Sequence, residues 1–466
     1  MARTSAELAY LSLSEVAALI EKRELSPVEL TRAMLARISA LDPKLHAYYT
    51  LFAEEALATA REAEAQIRNG NYRGAFHGIP FAVKDIYESG PTTGGSKLRK
   101  DYVAQQDCTS VANLKRAGGV LLGKLATYEF ALGLPTLASH FQPARNPWNL
   151  AIDPGGSSSG SGAAVAAGLT YGAMGSDTGG SIRWPAFCCG IVGMKATYGR
   201  VSRAGVFPLS WNLDHTGPLT RTVRDCALML QACAGYDPLD PASAPEPVPD
   251  FSVKLGRDIK GMRIGVPRQL FAENCGKEIL AAFDAAATQM SRLGAEVMDV
   301  ETITFGELWA VFWPLLCADA AAYHLDDLCT RPGDYNPDLK LTLAAGALVS
   351  ATSYLQSQRA REQIRRRMLQ QLETIDLFML PTTGLMPAPI RAESPGMWLM
   401  NETFAIYTPL FNLTGFPALA LPCGVSAAGL PIGFQLAGKP FDEATVFQAG
   451  YAYEQSTPWH TRHPAL

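Results

Sequence analysis

The chain is short of the features that mark several large classes of protein. Its seven histidines form no HExxH pattern and no His/Cys cluster at ligand spacing, so no metal site is read and no cofactor is expected. The nine cysteines are odd in number and lack CxxC spacing, which argues for reduced, mostly buried thiols in a cytoplasmic setting. Charged residues make up only 18% and the net charge is −4. The densest basic patch, Arg359 to Arg367, reads as a solvated helix face, so no nucleic-acid partner is expected. The first 22 residues lack the uninterrupted apolar core of a signal peptide, and no stretch is read as long and apolar enough to span a bilayer, so no membrane partner is expected. What remains, at 48% hydrophobic over 466 residues, describes a globular protein with a substantial core.

Residues 12–68 read as helices. Ser12 with Glu15 forms one capping-box pattern, and Ser26-Pro27-Val28-Glu29 forms another with proline at the first helical position. This arm, residues 1–70, is expected to pack on the core or to make a homodimer contact. From Gly78 short apolar runs alternate with helical patterns. Candidate strands are 79–84, 119–123, 172–176, 262–267, 296–301, 377–381, 418–422 and 431–437; candidate helices include 109–117, 161–168, 222–234 and 277–293. Alternation of this kind predicts an α/β layered fold with a parallel or mixed sheet over 71–466, one structural domain overall.

Residues 153–183, DPGGSSSGSGAAVAAGLTYGAMGSDTGGSIR, carry the chemistry. The run is rich in glycine and serine but is no linker, because it encloses a small-residue helix and ends in an Asp-Thr-Gly-Gly-Ser-Ile-Arg turn. Ser157 and Ser181 each follow a Gly-Gly pair. A serine so placed is presented rather than packed, and successive N–H groups in such a turn can form an anion-binding nest. Gly156-Ser157-Ser158-Ser159-Gly160 also satisfies G-x-S-x-G, the nucleophile elbow of a Ser-His-Asp hydrolase. Its lead-in, residues 146–154, makes a poor strand, and His215, His324, His460 and His463 read individually as core or surface residues.

The run resembles the signature of the amidase signature family, serine hydrolases with a Ser-cisSer-Lys triad. The resemblance extends to Cys189-Gly190-Ile191-Val192-Gly193-Met194-Lys195 and Gly199-Arg200-Val201-Ser202, and upstream to Gly78-Ile79-Pro80-Phe81-Ala82-Val83-Lys84-Asp85. Weaker echoes lie at 145–149, 214–218 and 417–422. It implies the amidase signature fold, a large mixed β-sheet sandwiched between helical layers. It also implies roles. Ser181 is the expected nucleophile, and the backbone N–H groups of Thr178, Gly179, Gly180 and Ser181 the expected oxyanion hole. Lys84 ends an apolar strand, where desolvation favours its neutral amine, and is the expected base. Ser157 is the expected relay, its preceding peptide bond cis. Ser158 is a supporting hydroxyl, and Asp177 and Arg183 pair to hold the turn. Ser159 stands where the usual loop has glycine, and Ala196 where many relatives have proline.

The triad implies acyl transfer to water without naming the acyl group. One branch of the family is the glutamine-hydrolysing component of tRNA-dependent amidotransferases, which works with two partner subunits. By the resemblance, the positions of the arginine and aspartate that hold glutamine in that branch fall near Leu341–Thr342 and at Ala405. Losing both charges favours an apolar pocket. Phe130, Leu132, Leu134, Trp184, Trp309, Trp313, Trp398 and Met400 are the candidate apolar residues beside the cleft. The expected function is therefore a stand-alone hydrolase of aryl or alkyl amides, anilides or carbamates, with a small-molecule substrate and water as its partners.

Overall fold

Every residue from Pro80 to Lys84 is buried, and so is every residue from Gly172 to Asp177. Strands with no exposed alternate position lie in a sheet covered on both faces. The computed structural model describes residues 5–392 and 406–466, with side chains from Glu7. Its main sheet has 11 strands. From one edge their order is Tyr48–Leu51, Val120–Leu125, Pro80–Lys84, Gly172–Asp177, His215–Thr220, Val192–Lys195, Ala418–Val425, Pro431–Gly438, Leu377–Pro381, Arg263–Val266 and Glu296–Asp299. The sheet is mixed. Pro80–Lys84 runs parallel to both its neighbours, whereas Gly172–Asp177 meets His215–Thr220 antiparallel. With helices packed over it, this is the large mixed sheet between helical layers that the resemblance implies.

Each of the eight candidate strands is present, with ends shifted by a few residues. Three further strands of the main sheet, Tyr48–Leu51, Val192–Lys195 and His215–Thr220, were not expected. The first lies inside the segment read as wholly helical and pairs antiparallel with Val120–Leu125. The helices before and after it follow the sequence signals. Ser12 caps Leu13–Glu21 in a complete capping box, and Ser26 caps Pro27–Leu45 through the N–H groups of Val28 and Glu29.

One expectation is corrected. The helix Phe305–Thr330 is long and apolar enough, by length and composition, to cross a membrane. Here it is a core helix: 56% of its most apolar stretch is buried inside the protein. It packs on the helices Pro337–Ala347 and Ala351–Thr374. The approach to Pro337–Ala347 is so close that a Cβ on Gly346 would overlap the carbonyl of Cys317. Gly346→Ala should therefore destabilise the fold by about 1–3 kcal/mol through overpacking. Gly306→Ala, at a helical position with nothing within 4 Å, should be neutral or stabilising. Chemical unfolding of both variants checks this; equal effects would contradict the close packing.

Candidate active site

The site lies at the carboxyl ends of two parallel strands, where open α/β sheets commonly bind ligands. Lys84 ends one of them and is fully buried. Its Nζ lies 2.7 Å from Ser157 Oγ and 2.8 Å from Ser176 Oγ. Neither partner carries a charge. Burial pushes the Lys84 ammonium down to about 7, against the opposing pull of the Asp214 and Asp177 carboxylates. Burial also pushes two other lysines below their ordinary value, but with different partners. Lys124 lies 3.5 Å from the Asp85 carboxylate and donates to Thr92 Oγ1 at 2.7 Å, and Lys195 donates to the Phe416 carbonyl at 2.6 Å.

The loop before the helix Ser159–Ala166 brings Ser157 to Lys84. The peptide bond between Gly156 and Ser157 is cis, as the resemblance implies. Tyr128 braces this loop. Its N–H donates to the Ser157 carbonyl at 3.1 Å, and its hydroxyl reaches both Asp153 carboxylate oxygens at 2.9 Å. Asp153 in turn accepts from Gly155 N–H at 2.6 Å, and burial raises its carboxyl to about 6. Ser158 ties this loop to the second serine. Its N–H donates to the Ser181 carbonyl at 3.3 Å and its hydroxyl to the Ser176 carbonyl at 3.2 Å.

The turn from Asp177 to Arg183 is clamped by a buried ion pair. Arg183 reaches Asp177 Oδ1 at 2.8 Å and Oδ2 at 3.0 Å, and both side chains are fully buried. The remaining Arg183 donors go to the Thr408 carbonyl at 2.9 Å, Gln435 Oε1 at 2.8 Å and Asn412 Oδ1 at 2.7 Å. Asn412 Nδ2 returns to the Asp177 carbonyl and carboxylate, each at 2.8 Å. Burial alone would raise the Asp177 carboxyl. The Arg183 guanidinium, with Lys195 and Asn412, instead holds it below the usual carboxylate range. Gly180 sits at φ +134°, and any Cβ there would overlap the Thr408 hydroxyl, which donates to the Gly179 carbonyl at 2.6 Å. The N–H groups of Gly179, Gly180 and Ser181 have no protein acceptor among the described residues. The Ser181 side chain is half-buried beside them.

A cavity opens on these groups, with Ser157, Ser181 and the Thr178–Gly180 backbone in its floor. Trp184, Trp309, Phe312 and Trp313 form its aromatic wall, and Leu132, Leu209, Leu316 and Ile406 its aliphatic one. Of the described lining residues none is charged. Of the candidates from the sequence, Leu132, Trp184, Trp309 and Trp313 line this cavity. Phe130 does not: its backbone is left-handed, at φ 46°, and its ring packs in the core against His324 and Phe207. Leu134 faces a separate cavity. Ala405, Trp398 and Met400 lie outside the described residues. Thr342 is buried and donates to its own helix at the Asp338 carbonyl, whereas Leu341 is half-exposed.

Several residues at the site were not expected. Ser176, Thr408, Gln435, Phe312 and Tyr128 carry no pattern of their own in the sequence. Asn412 sits in the Asn-Leu-Thr-Gly segment and Asp214 in the weak echo at 214–218. Asp214 accepts from Thr178 Oγ1 at 2.6 Å and from the N–H groups of Leu209 and Ser210 at 2.8 and 3.0 Å. Among the described residues no group of His, Cys, Asp or Glu is arranged to hold a metal ion.

Lys84 sets a test. Below its ordinary value, 10.5, a lysine depressed in the folded state binds fewer protons there than in the unfolded chain. Stability therefore rises with pH between about 7 and 10.5 on account of this group. Lys84→Met removes that slope. Relative to the native chain the variant should gain most stability below pH 7 and least above pH 10.5, the two ends differing by on the order of 4 kcal/mol. Denaturant unfolding at pH 6 and pH 10 measures this; a stability difference independent of pH would contradict a depressed Lys84.

Known proteins are similar to this chain in sequence and in fold. The sequence profile of the family described as Amidase matches residues 29–447. The chain is 41% identical to a glutamyl-tRNA(Gln) amidotransferase subunit of Geobacter metallireducens, over 99% of this chain and 100% of that one. It is 42% identical to an amidase of Pseudomonas putida, covering 98% of both chains. Among solved structures, a bacterial aryl acylamidase of the amidase signature enzymes superposes with a TM-score of 0.88 at 27% identity, covering 97% of each chain. By sequence and by fold, this chain belongs to the amidase signature family.

Proposed function

We propose that this protein is a stand-alone hydrolase of C–N acyl bonds in apolar substrates: aryl or alkyl amides, anilides or carbamates. The observation that carries the reading is the aromatic cavity over Ser181 and Ser157, uncharged among its described lining residues. An apolar group entering it gains about 25 cal/mol per Å² of apolar surface removed from water. A glutamine zwitterion would leave both its charges without partners on that wall, at a cost of several kcal/mol per ion.

In this reading Ser181 Oγ attacks the carbonyl carbon. Its proton passes to Ser157 Oγ as the Ser157 proton passes to neutral Lys84 Nζ, 2.7 Å away. The N–H groups from Thr178 to Ser181 receive the oxyanion. The proton then returns from Lys84 through Ser157 to the leaving nitrogen, the amine departs, and an acyl-Ser181 remains. Water attacks that ester by the same relay and releases the acid. Each proton taken up by Lys84 is handed back, so no other acid or base is required. A carbamate or ester carbonyl fits the same cycle with a different leaving atom.

The second reading is a glutamine-hydrolysing component of a multi-subunit amidotransferase, favoured by the 41% identity to such a chain over nearly the whole length. The two separate on one comparison. Without added proteins, the chain should give a kcat/KM for an anilide or aryl carbamate at least about a hundredfold above that for glutamine, as a cost of about 3 kcal/mol for one unpartnered charge would dictate. Preference for glutamine, or activity only with added amidotransferase subunits, would overturn the proposal.

A further inference from the structure

A second carboxylate network joins the aromatic wall of the cavity to the turn that carries Ser181. The wall is one face of the helix Phe305–Thr330, where Trp309, Phe312, Trp313 and Leu316 recur at helical spacing. Asp319 follows on the same side, one turn beyond Leu316. It is a carboxylate only 8% exposed in an otherwise apolar stretch. It accepts from Ser210 Oγ at 2.5 Å, Asn212 Nδ2 at 3.1 Å and Tyr354 OH at 2.8 Å. Tyr354 lies on the helix Ala351–Thr374.

Ser210 leads on to the site. Its N–H and that of Leu209, a residue of the cavity wall, both donate to Asp214. Asp214 in turn takes the hydroxyl of Thr178, the residue that opens the Gly-Gly-Ser turn. The hydrogen bonds run from the wall helix to Asp319, Ser210, Asp214, Thr178 and the turn. A leucine at 319 would suit the helix by composition, but apolar contact is non-directional and lets helices slide. Three charge-assisted hydrogen bonds fix register. The helix needs such a tie, because Pro314 has no N–H to give to the carbonyl of Ala310 and weakens the helix in the middle of the wall.

We propose that Asp319 is a positioning residue that fixes the aromatic wall relative to Ser181, and so determines which apolar groups the cavity accepts. The use of the cavity for substrate rests on the function proposed above; the mechanical link does not. Two measurements test it on the full-length protein. In Asp319→Ala, kcat/KM for an aryl substrate that fills the cavity should fall about tenfold, mainly through KM, the scale set by losing hydrogen bonds to a charged group. An acetyl substrate too small to touch the wall should change by less than about threefold, and Asp319→Asn, which keeps an acceptor, should restore most of the loss. Hydrogen exchange should quicken together in the helix up to residue 319, in 209–214 and in 178–183. Tyr354→Phe, which removes one of the three bonds, should move both readouts the same way by less, and serves if the alanine variant does not fold.

An equal loss on every substrate would make Asp319 a part of the fold and nothing more. Faster exchange confined to the residues around 319 would break the link to the turn. If the native protein cleaves neither the aryl nor the acetyl substrate, the proposed function falls, and the exchange pattern alone decides whether the link exists.

Discussion

A lysine buried at the end of a strand, its amine against two serine hydroxyls, is the constraint around which this protein is built. Lys84 is in van der Waals company on all sides, and its amine meets two hydroxyls, Ser157 and Ser176. The neighbouring buried Lys124 and Lys195 are lowered by burial too, but their amines face a carboxylate and backbone carbonyls rather than the serines of the site. Taking an ammonium out of water is costly unless it is paired, and the cheaper course is to lose the proton. Burial therefore supplies a neutral amine near neutral pH. The Asp214 and Asp177 charges keep it from falling further.

The same strategy runs through the rest of the site. The loops that face the cavity have little regular structure of their own, and each is held by a buried charge. Arg183 gathers the carboxylate of Asp177, the side chains of Asn412 and Gln435 and the carbonyl of Thr408, so that one guanidinium locks the turn to two distant stretches of chain. Asp153 holds Tyr128 and Gly155, and Asp214 holds Thr178, Leu209 and Ser210. Losing one member of such a set strands its partner in a low dielectric, which is why these groups are costly to alter singly.

What could be read beforehand follows from this. Strands rich in β-branched and apolar residues were legible, since burial there shows in composition. Val192–Lys195 and His215–Thr220 were not, because they carry Lys195, His215 and glycine in a fully buried setting. Their burial is balanced by partners remote in sequence. The serines and Lys84 stood out because glycine pairs and an apolar lead-in are local signals. The cavity wall was half legible. The helix Phe305–Thr330 is apolar all round, so no periodicity separates the face bearing Phe312 from the core face. Phe130 misled because a left-handed backbone turns its ring inward, and phenylalanine gives no warning of that.

The most direct test of the central claim is the pH dependence of Ser181 modification by a small fluorophosphonate, followed by peptide mapping. If burial holds Lys84 near 7 and Ser157 relays its pull, the labelling rate should rise through one ionisation close to that value and level off above it. The adduct should sit on Ser181, and Lys84→Met should abolish the rise. A rate independent of pH, or an adduct on Ser157 or Ser158, would contradict the account.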